Sequence, residues 1–296
     1  IVHFHGASLQ LILNVLPLKL MNKKIVAKVA GAKMNIEAGS FRGKYLFLGN
    51  LFVRILRSVD MFVAITDEIR IDLIREGYHP ERIFKASNFI APQHFYPEED
   101  SGNRNTIRKR LGINEGKKVI TFSGRLVRRK RLDVLLDAVA GVCQKRKDFI
   151  VVILGTGELM EYLRRYTAAL GISEVVVFRG NVPNVLDYLQ VSDLYLLTSE
   201  TEGMPNSLLE AMACRLPVIA TKIGGVVDIV KSGRNGILVP PGDVSALRDA
   251  ILSLLSDPSE RERLAVEAYR TIRENYYIEA VASRYADLYR SLLGAV

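Results

Sequence analysis

Short apolar runs of strand length alternate along this chain with segments whose apolar residues recur at helical spacing. Ile1 to Gly6, Lys24 to Val29, Met61 to Thr66 and Arg82 to Ala86 are predicted strands. Ala7 to Met21, Lys44 to Val59 and Asp67 to Glu76 carry the helical period between them. Gly77 ends the last of these, with Pro80 three residues beyond. Phe89 to Asn105 has three acids, two prolines and no periodicity, and reads as a linker. The alternation then resumes with a basic helix around Thr106 to Leu111. Strands are predicted at Lys118 to Ser123, Phe149 to Leu154, Val175 to Phe178, Leu194 to Thr198 and Val218 to Thr221. Helices are predicted at Leu132 to Cys143, from the Gly155-Thr156-Gly157 turn to Leu170, and at Val244 to Leu255, Pro258 to Asn275 and Ala280 to Leu293. Gly224-Gly225, Gly233, Gly236 and Pro240-Pro241-Gly242 read as turns. Strands alternating with helices predict parallel α/β architecture, and 296 residues suggest two domains.

Composition changes this picture little. At 49% hydrophobic and 25% charged, the chain is ordinary globular protein with ample core. A formal net charge of +9 points to anionic partners: nucleic acid, a membrane surface or phosphorylated substrates. Two cysteines, Cys143 and Cys214, make no disulfide framework, so a reducing cytosol is the expected setting. No signal-peptide pattern opens the chain, and Leu9 to Met21 is too short and interrupted to span a bilayer. His3 and His5 alternate on one strand face, but no third ligand is evident. With no D-x-D pair either, no metal site is expected. Lys44 to Val59 mixes Phe47 and Phe52 with Lys44, Arg54 and Arg57. It suits a membrane surface, yet apolar residues wrap most of it, which favours burial in the first domain.

The chemistry concentrates at Leu194 to Thr221, which reads as strand, loop, helix, strand, a βαβ unit. Pro205 suits a first helical turn, and Leu208, Leu209, Met212 and Ala213 follow at helical spacing. Glu202 ends the loop and Glu210 lies within the helix. Ligands of open α/β sheets bind beyond the carboxyl ends of the strands, where helix N–H groups also favour phosphate. The stretch therefore offers backbone donors to phosphate and two carboxylates to hydroxyls. A second stretch, F-S-G-R-L-V-R-R-K-R-L from Phe122 to Leu132, leaves a strand through Gly124. Arg125 and Lys130 would then share the sheet edge of Glu202. By itself this basic run reads equally well as a solvated face or a nucleic-acid patch. Base-stacking aromatics are missing around it, Phe122 excepted, so no nucleic acid is expected as partner. Gly155-Thr156-Gly157 is a weak dinucleotide fingerprint lacking its third glycine, and two turns fit it as well.

E-G-M-P-N-S-L-L-E-A-M-A followed by P-V-I-A-T resembles the E-x7-E signature of retaining GT-B glycosyltransferases, in particular family 4. The run from Gly124 is similar to that family's G-R-x-x-x-x-K-G pyrophosphate clamp, with Arg131 in place of the second glycine. The resemblance is close from Val119 to Asp257 and looser before, where A-S-N-F-I-A-P-Q-H-F-Y-P stands for the interdomain segment and Ala30 for a usual histidine. It implies two Rossmann-like α/β domains facing across a cleft, the first incomplete because its opening strand and Gly-rich loop are absent. The implied domains are 1–97 on the acceptor side, 98–277 for the donor, and a terminal helix, 278–296, returning to the first. It implies glycosyl transfer from a UDP-, GDP- or ADP-sugar to a glycan or lipid-linked hydroxyl, with retention. Bacterial-type polysaccharide or glycolipid synthesis is the implied setting, in the cytoplasm and at the inner membrane face for a peripherally bound enzyme. No cofactor is implied.

By the same resemblance Glu202 holds donor-sugar hydroxyls, Glu210 the ribose, and Arg125 and Lys130 the diphosphate. Gly124, Gly203, Met204, Pro205, Asn206, Ser207 and Leu208 line the donor, while Gly155, Asn181 and Val182 lie near the base. The alternatives are a nucleotide-sugar epimerase of the same fold and a nucleotide-binding fragment without turnover. The incomplete first domain leads to the expectation that the chain binds nucleotide but transfers sugar poorly.

Overall fold

The computed structural model describes residues 1–6, 9–29, 49–114 and 116–294. Two units are distinguished. The first comprises Ile1–Asn88, Glu202–Met204 and Glu279–Val296, the second Phe89–Thr201 and Pro205–Ile278.

In the first unit, β1 (Val2–His5), β2 (Ile25–Val29), β3 (Met61–Ala64) and β4 (Ile83–Lys85) pair in sequence order. All are parallel, as alternation with helices requires. Helices α1 (Leu9–Leu20), α2 (Gly49–Leu56) and α3 (Asp67–Arg75) connect them. Thr66 starts α3 by accepting the Ile69 N–H at 3.2 Å. The last helix, α12 (Ile278–Leu293), buries Leu288 against Val26, Val63 and Ala86. In α2, Val53 and Leu56 are buried while Leu51 is half-exposed, so the described part is one-sided rather than apolar all round. Ala30, Lys44, Phe47 and the Phe52 side chain lie outside the described residues.

The second unit holds a six-stranded parallel sheet in the order β10-β9-β8-β5-β6-β7. Its strands are β5 (Lys118–Ser123), β6 (Phe149–Leu154), β7 (Val176–Gly180), β8 (Leu194–Leu197), β9 (Val218–Thr221) and β10 (Ile237–Val239). Every residue of β8 and β9 is buried, as strands covered on both faces should be. One core joins β5 and β6 to α5 (Leu132–Cys143), Leu163 of α6 (Met160–Ala169), α10 (Val244–Ser256) and Leu264 of α11 (Pro258–Asn275). A smaller core packs Ile107, Val152, Tyr188 and Val191 on the other face.

Two expectations need correction. The predicted linker ends early, because α4 spans Ser101–Arg110, with Asp100 accepting the Gly102 N–H at 2.8 Å. Its first turns are polar and solvent-facing, so they lack apolar period. A short helix, α7 (Val185–Val191), capped by Asn184, leads into β8. Gly224-Gly225 opens a helix, α9 (Gly224–Ile229), instead of a turn.

Candidate functional site

The second sheet reverses its winding at β5. The chain runs outward through β6 and β7, then returns to lay β8 on the opposite side of β5 and continues to β9 and β10. Loops leaving the carboxyl ends of the strands at such a reversal form the ligand crevice of open α/β sheets. Here they are the segments after Ser123 and after Leu197.

The β5 exit turns at Gly124, whose φ of 156° is ill-suited to a side chain. Its neighbour across the sheet, Gly155, has φ 117°, and a Cβ there would meet the Gly124 carbonyl oxygen at 2.0 Å. A Cβ at Gly157 would meet the Leu126 carbonyl oxygen at 2.4 Å. The two exits are laced together: Gly124 N–H donates to Leu154 O at 3.0 Å, Leu126 N–H to Thr156 O at 2.9 Å and Leu159 N–H to Leu126 O at 3.1 Å. Gly155-Thr156-Gly157 is thus a backbone-on-backbone packing element beneath the site. Gly124, Arg125, Gly155, Asn181 and Val182 line one cavity of about 260 Å³, together with Ser123, Leu154, Thr156 and Val185.

Arg125 is exposed, and its guanidinium hydrogen-bonds none of the described residues. Lys130 is buried, and a methyl on Gly124 would lie 3.6 Å from its Cε and 3.7 Å from its Nζ. A 3₁₀ turn, Arg128–Lys130, brings it there. That turn is fastened to the β8 exit, since Thr198 Oγ1 donates to Lys130 O at 2.9 Å and Glu200 N–H to Arg129 O at 2.8 Å. Arg131 takes the left-handed conformation, φ 48° and ψ 47°, and its guanidinium grips Asp133. This is the backbone position where the resembling motif carries glycine.

Beyond β8, Glu202 is buried at 8% exposure, and Glu202–Met204 pack as part of the first unit. There Asn88 Nδ2 donates to the Met204 carbonyl at 3.3 Å. Pro205 is the cap of α8 (Asn206–Ala213) and not its first residue. The Leu208 N–H donates to Pro205 O at 3.1 Å, and its side chain is buried. Asn206 and Ser207 begin the helix, one turn ahead of half-buried Glu210. Burial holds the Glu210 carboxyl above the usual glutamate range.

Sequence reasoning missed Tyr195. It is fully buried in β8, and its hydroxyl meets Ser123 Oγ at 3.2 Å and the Ser123 carbonyl at 3.3 Å. Burial, against bonds from Ser123 and Ser207 and with the Glu210 charge adding, pushes its phenol up to about 12. A tyrosine inside an otherwise aliphatic strand was the available signal, because a buried hydroxyl requires a partner.

Two other places contribute less. A larger hollow, about 640 Å³, opens by the amino ends of β8 and β9. Its Arg104 is spent on the carbonyls of Gln190, Val191 and Ser192, and its Arg261 on those of Leu254 and Leu255. In the first unit His3 stacks on His5 at 4.8 Å and bonds the Tyr289 hydroxyl at 2.7 Å. Burial, with the His5 and Lys28 charges, pushes His3 down to about 4. Among the described residues no group of three or more His, Cys, Asp or Glu is placed to hold a metal. Nor is any described helix long and apolar enough to cross a membrane.

A winding reversal flanked by a Gly-Arg exit and a capped Glu-bearing helix defines a class that comparison identifies. The family profile of Glycosyl transferases group 1 matches residues 103–271, over half of the chain, and the chain belongs to that family. It is thus a glycosyltransferase of the hexosyltransferase type. It is 27% identical to N-acetyl-alpha-D-glucosaminyl L-malate synthase of Bacillus anthracis, over 99% of this chain and 75% of that protein. It is 34% identical to D-inositol 3-phosphate glycosyltransferase of Corynebacterium urealyticum over 81% of its own length, spanning 58% of that relative. The fold is similar to that of Anabaena HepE, solved in complex with UDP, with a TM-score of 0.84, 20% identity, and coverage of 95% of this chain and 76% of that one. The expected class, α/β with two parallel Rossmann-like sheets, is the one found.

Proposed function

We propose that this chain transfers a glycosyl unit from a nucleotide sugar to a hydroxyl acceptor with retention, and that the β5–β8 reversal holds the donor. The observation that carries the reading is the pair of cations at the β5 exit. Arg125 is unengaged at the cavity mouth and the Lys130 amine lies against Gly124. A nucleoside diphosphate gathers negative charge as its bond to the sugar breaks. Cations fixed there stabilise the transition state more than the ground state. In this reading the base occupies the cavity by Gly155, Asn181 and Val182, and Glu210 accepts from the ribose hydroxyls. Glu202, assigned by its place in the E-x7-E pattern, orders the donor sugar. The two cations serve where other transferases use a metal, so activity is expected to persist in EDTA. A UDP, GDP or ADP donor, a glycan or lipid-linked acceptor and a role in polysaccharide or glycolipid synthesis complete the proposal.

The test is Arg125→Ala. Charge-assisted bonds are worth roughly 1.5–3 kcal/mol, so affinity for the nucleoside diphosphate should fall about tenfold or more. Affinity for the nucleoside should barely change. Equal losses for both ligands would remove Arg125 from the phosphate.

A further inference from the structure

The second unit contains another hollow, about 460 Å³, with no lining residue in common with the donor cavity. Leu126 bonds to a lining residue of each, through its N–H to Thr156 and through its carbonyl to Leu159. The walls of this hollow are unlike those of an anion site. Arg128 and Arg131 are balanced by Asp133 and Glu200, leaving no net charge to attract an ion of either sign. Arg131 is held in place by Asp133, with bonds of 3.1 and 3.0 Å. Arg128 and Glu200 are exposed, and neither side chain hydrogen-bonds any described residue.

The remaining wall is apolar and aromatic. Tyr162 is 46% exposed beside Leu159 and Leu163. Its ring stacks on Tyr166 at 5.7 Å and 10°, and the Tyr166 hydroxyl is fastened to Asp137 at 2.5 Å. One face of the Tyr162 ring is therefore supported from behind. A fixed ring flanked by leucines suits a ligand with a flat C–H face. Unspent guanidinium and carboxylate groups nearby suit a ligand rich in hydroxyls, which both donate and accept. Neutral saccharides have both properties.

We infer that this hollow is a second carbohydrate site, binding a neutral oligosaccharide beside the donor cavity and independently of the nucleotide. It goes beyond the proposed donor role, because none of its residues is assigned to the donor.

The chain has no tryptophan, so Tyr162→Trp introduces a single fluorophore into the site. Maltotetraose, cellotetraose and mannotetraose are titrated against it, with and without saturating UDP. At least one should give a saturable change at millimolar concentration or below, unaltered by UDP. Arg128→Ala or Glu200→Gln on that background should weaken it about tenfold, the loss expected for one charged hydrogen bond. Saturation-transfer NMR on the unaltered chain and on Tyr162→Ser gives a second readout that does not depend on the new ring. No saturable response to any of the three sugars by either readout overturns the inference. A response indifferent to both Arg128→Ala and Glu200→Gln overturns it as well, as does displacement by inorganic phosphate. Nucleotide binding, followed separately, stands or falls apart from these results.

Discussion

Gly155 and Gly124 meet backbone to backbone: a methyl on the first would lie 2.0 Å from the carbonyl oxygen of the second. Both are main-chain neighbours in adjacent strand exits, so no side-chain rotation relieves the clash. Gly155→Ala should therefore cost roughly 3 kcal/mol, in the range of severe single substitutions. Gly171 is the control, since it has φ 68° with nothing within 4 Å. There alanine should cost only the left-handed strain, about 1 kcal/mol. Denaturant unfolding of the two variants checks the difference, and equal losses would refute the packing argument.

Tyr195→Phe removes a hydroxyl that ties β8 to the first residue before Gly124. The expected loss is about 1 kcal/mol of stability, the net worth of an ordinary buried hydrogen bond. Nucleotide affinity should fall too, because the cavity floor at Ser123 loses its brace. A variant with unchanged melting and unchanged affinity would show that Ser123 and Ser207 pair equally well without it.

Glu210 should make both binding and stability depend on pH, in opposite senses. Burial raises its folded-state pKa above the ordinary glutamate value, about 4.3. Between those two values the native state holds more proton than the unfolded one, so stability falls as pH rises through the window. Nucleotide binding should instead strengthen over the same window, as the ionised carboxylate becomes available to ribose hydroxyls. Glu210→Gln should flatten both profiles relative to the parent, measured by thermal melting and by titration calorimetry. Parallel profiles for parent and variant would take Glu210 out of the site.

Glu202→Gln probes the donor sugar. The amide keeps the shape but loses the charge that orders hydroxyls. Affinity for the bare nucleoside diphosphate should stay the same while transfer slows by at least about tenfold. Full activity in the variant would remove Glu202 from the reaction.

Much of this was readable beforehand where residues carry their reason locally. Gly124 and Arg125 follow an apolar run, and Glu210 sits one turn into a helix announced by Pro205, so both site loops could be placed from the string of letters. The Gly155-Thr156-Gly157 segment was visible but its purpose was not, because the atom that excludes a side chain there belongs to Gly124, distant in sequence. The first turns of helix α4 escaped because Ser101 to Arg104 turn polar side chains outward, leaving Ile107 as its main apolar anchor. Helix α7 is a seven-residue element, about two turns, too short to show a helical period. The Leu208 N–H donates to the Pro205 carbonyl, a contact that the letters alone do not show.

The reversal at β5 also bears on how the protein is made. While a ribosome extends the chain, β5, β6 and β7 emerge first, and β5 then presents an open edge that includes Val119, Ile120 and Phe122. That edge waits for Leu194 to come back opposite Ile120 before it is covered. An open flank of this kind is a template for pairing with another nascent chain. The strand that closes it is also the one leading to Glu202 and Glu210. Protection from aggregation and assembly of the nucleotide pocket thus fall on the same late event. A translational pause before residue 194 should put yield and nucleotide-binding competence at risk together.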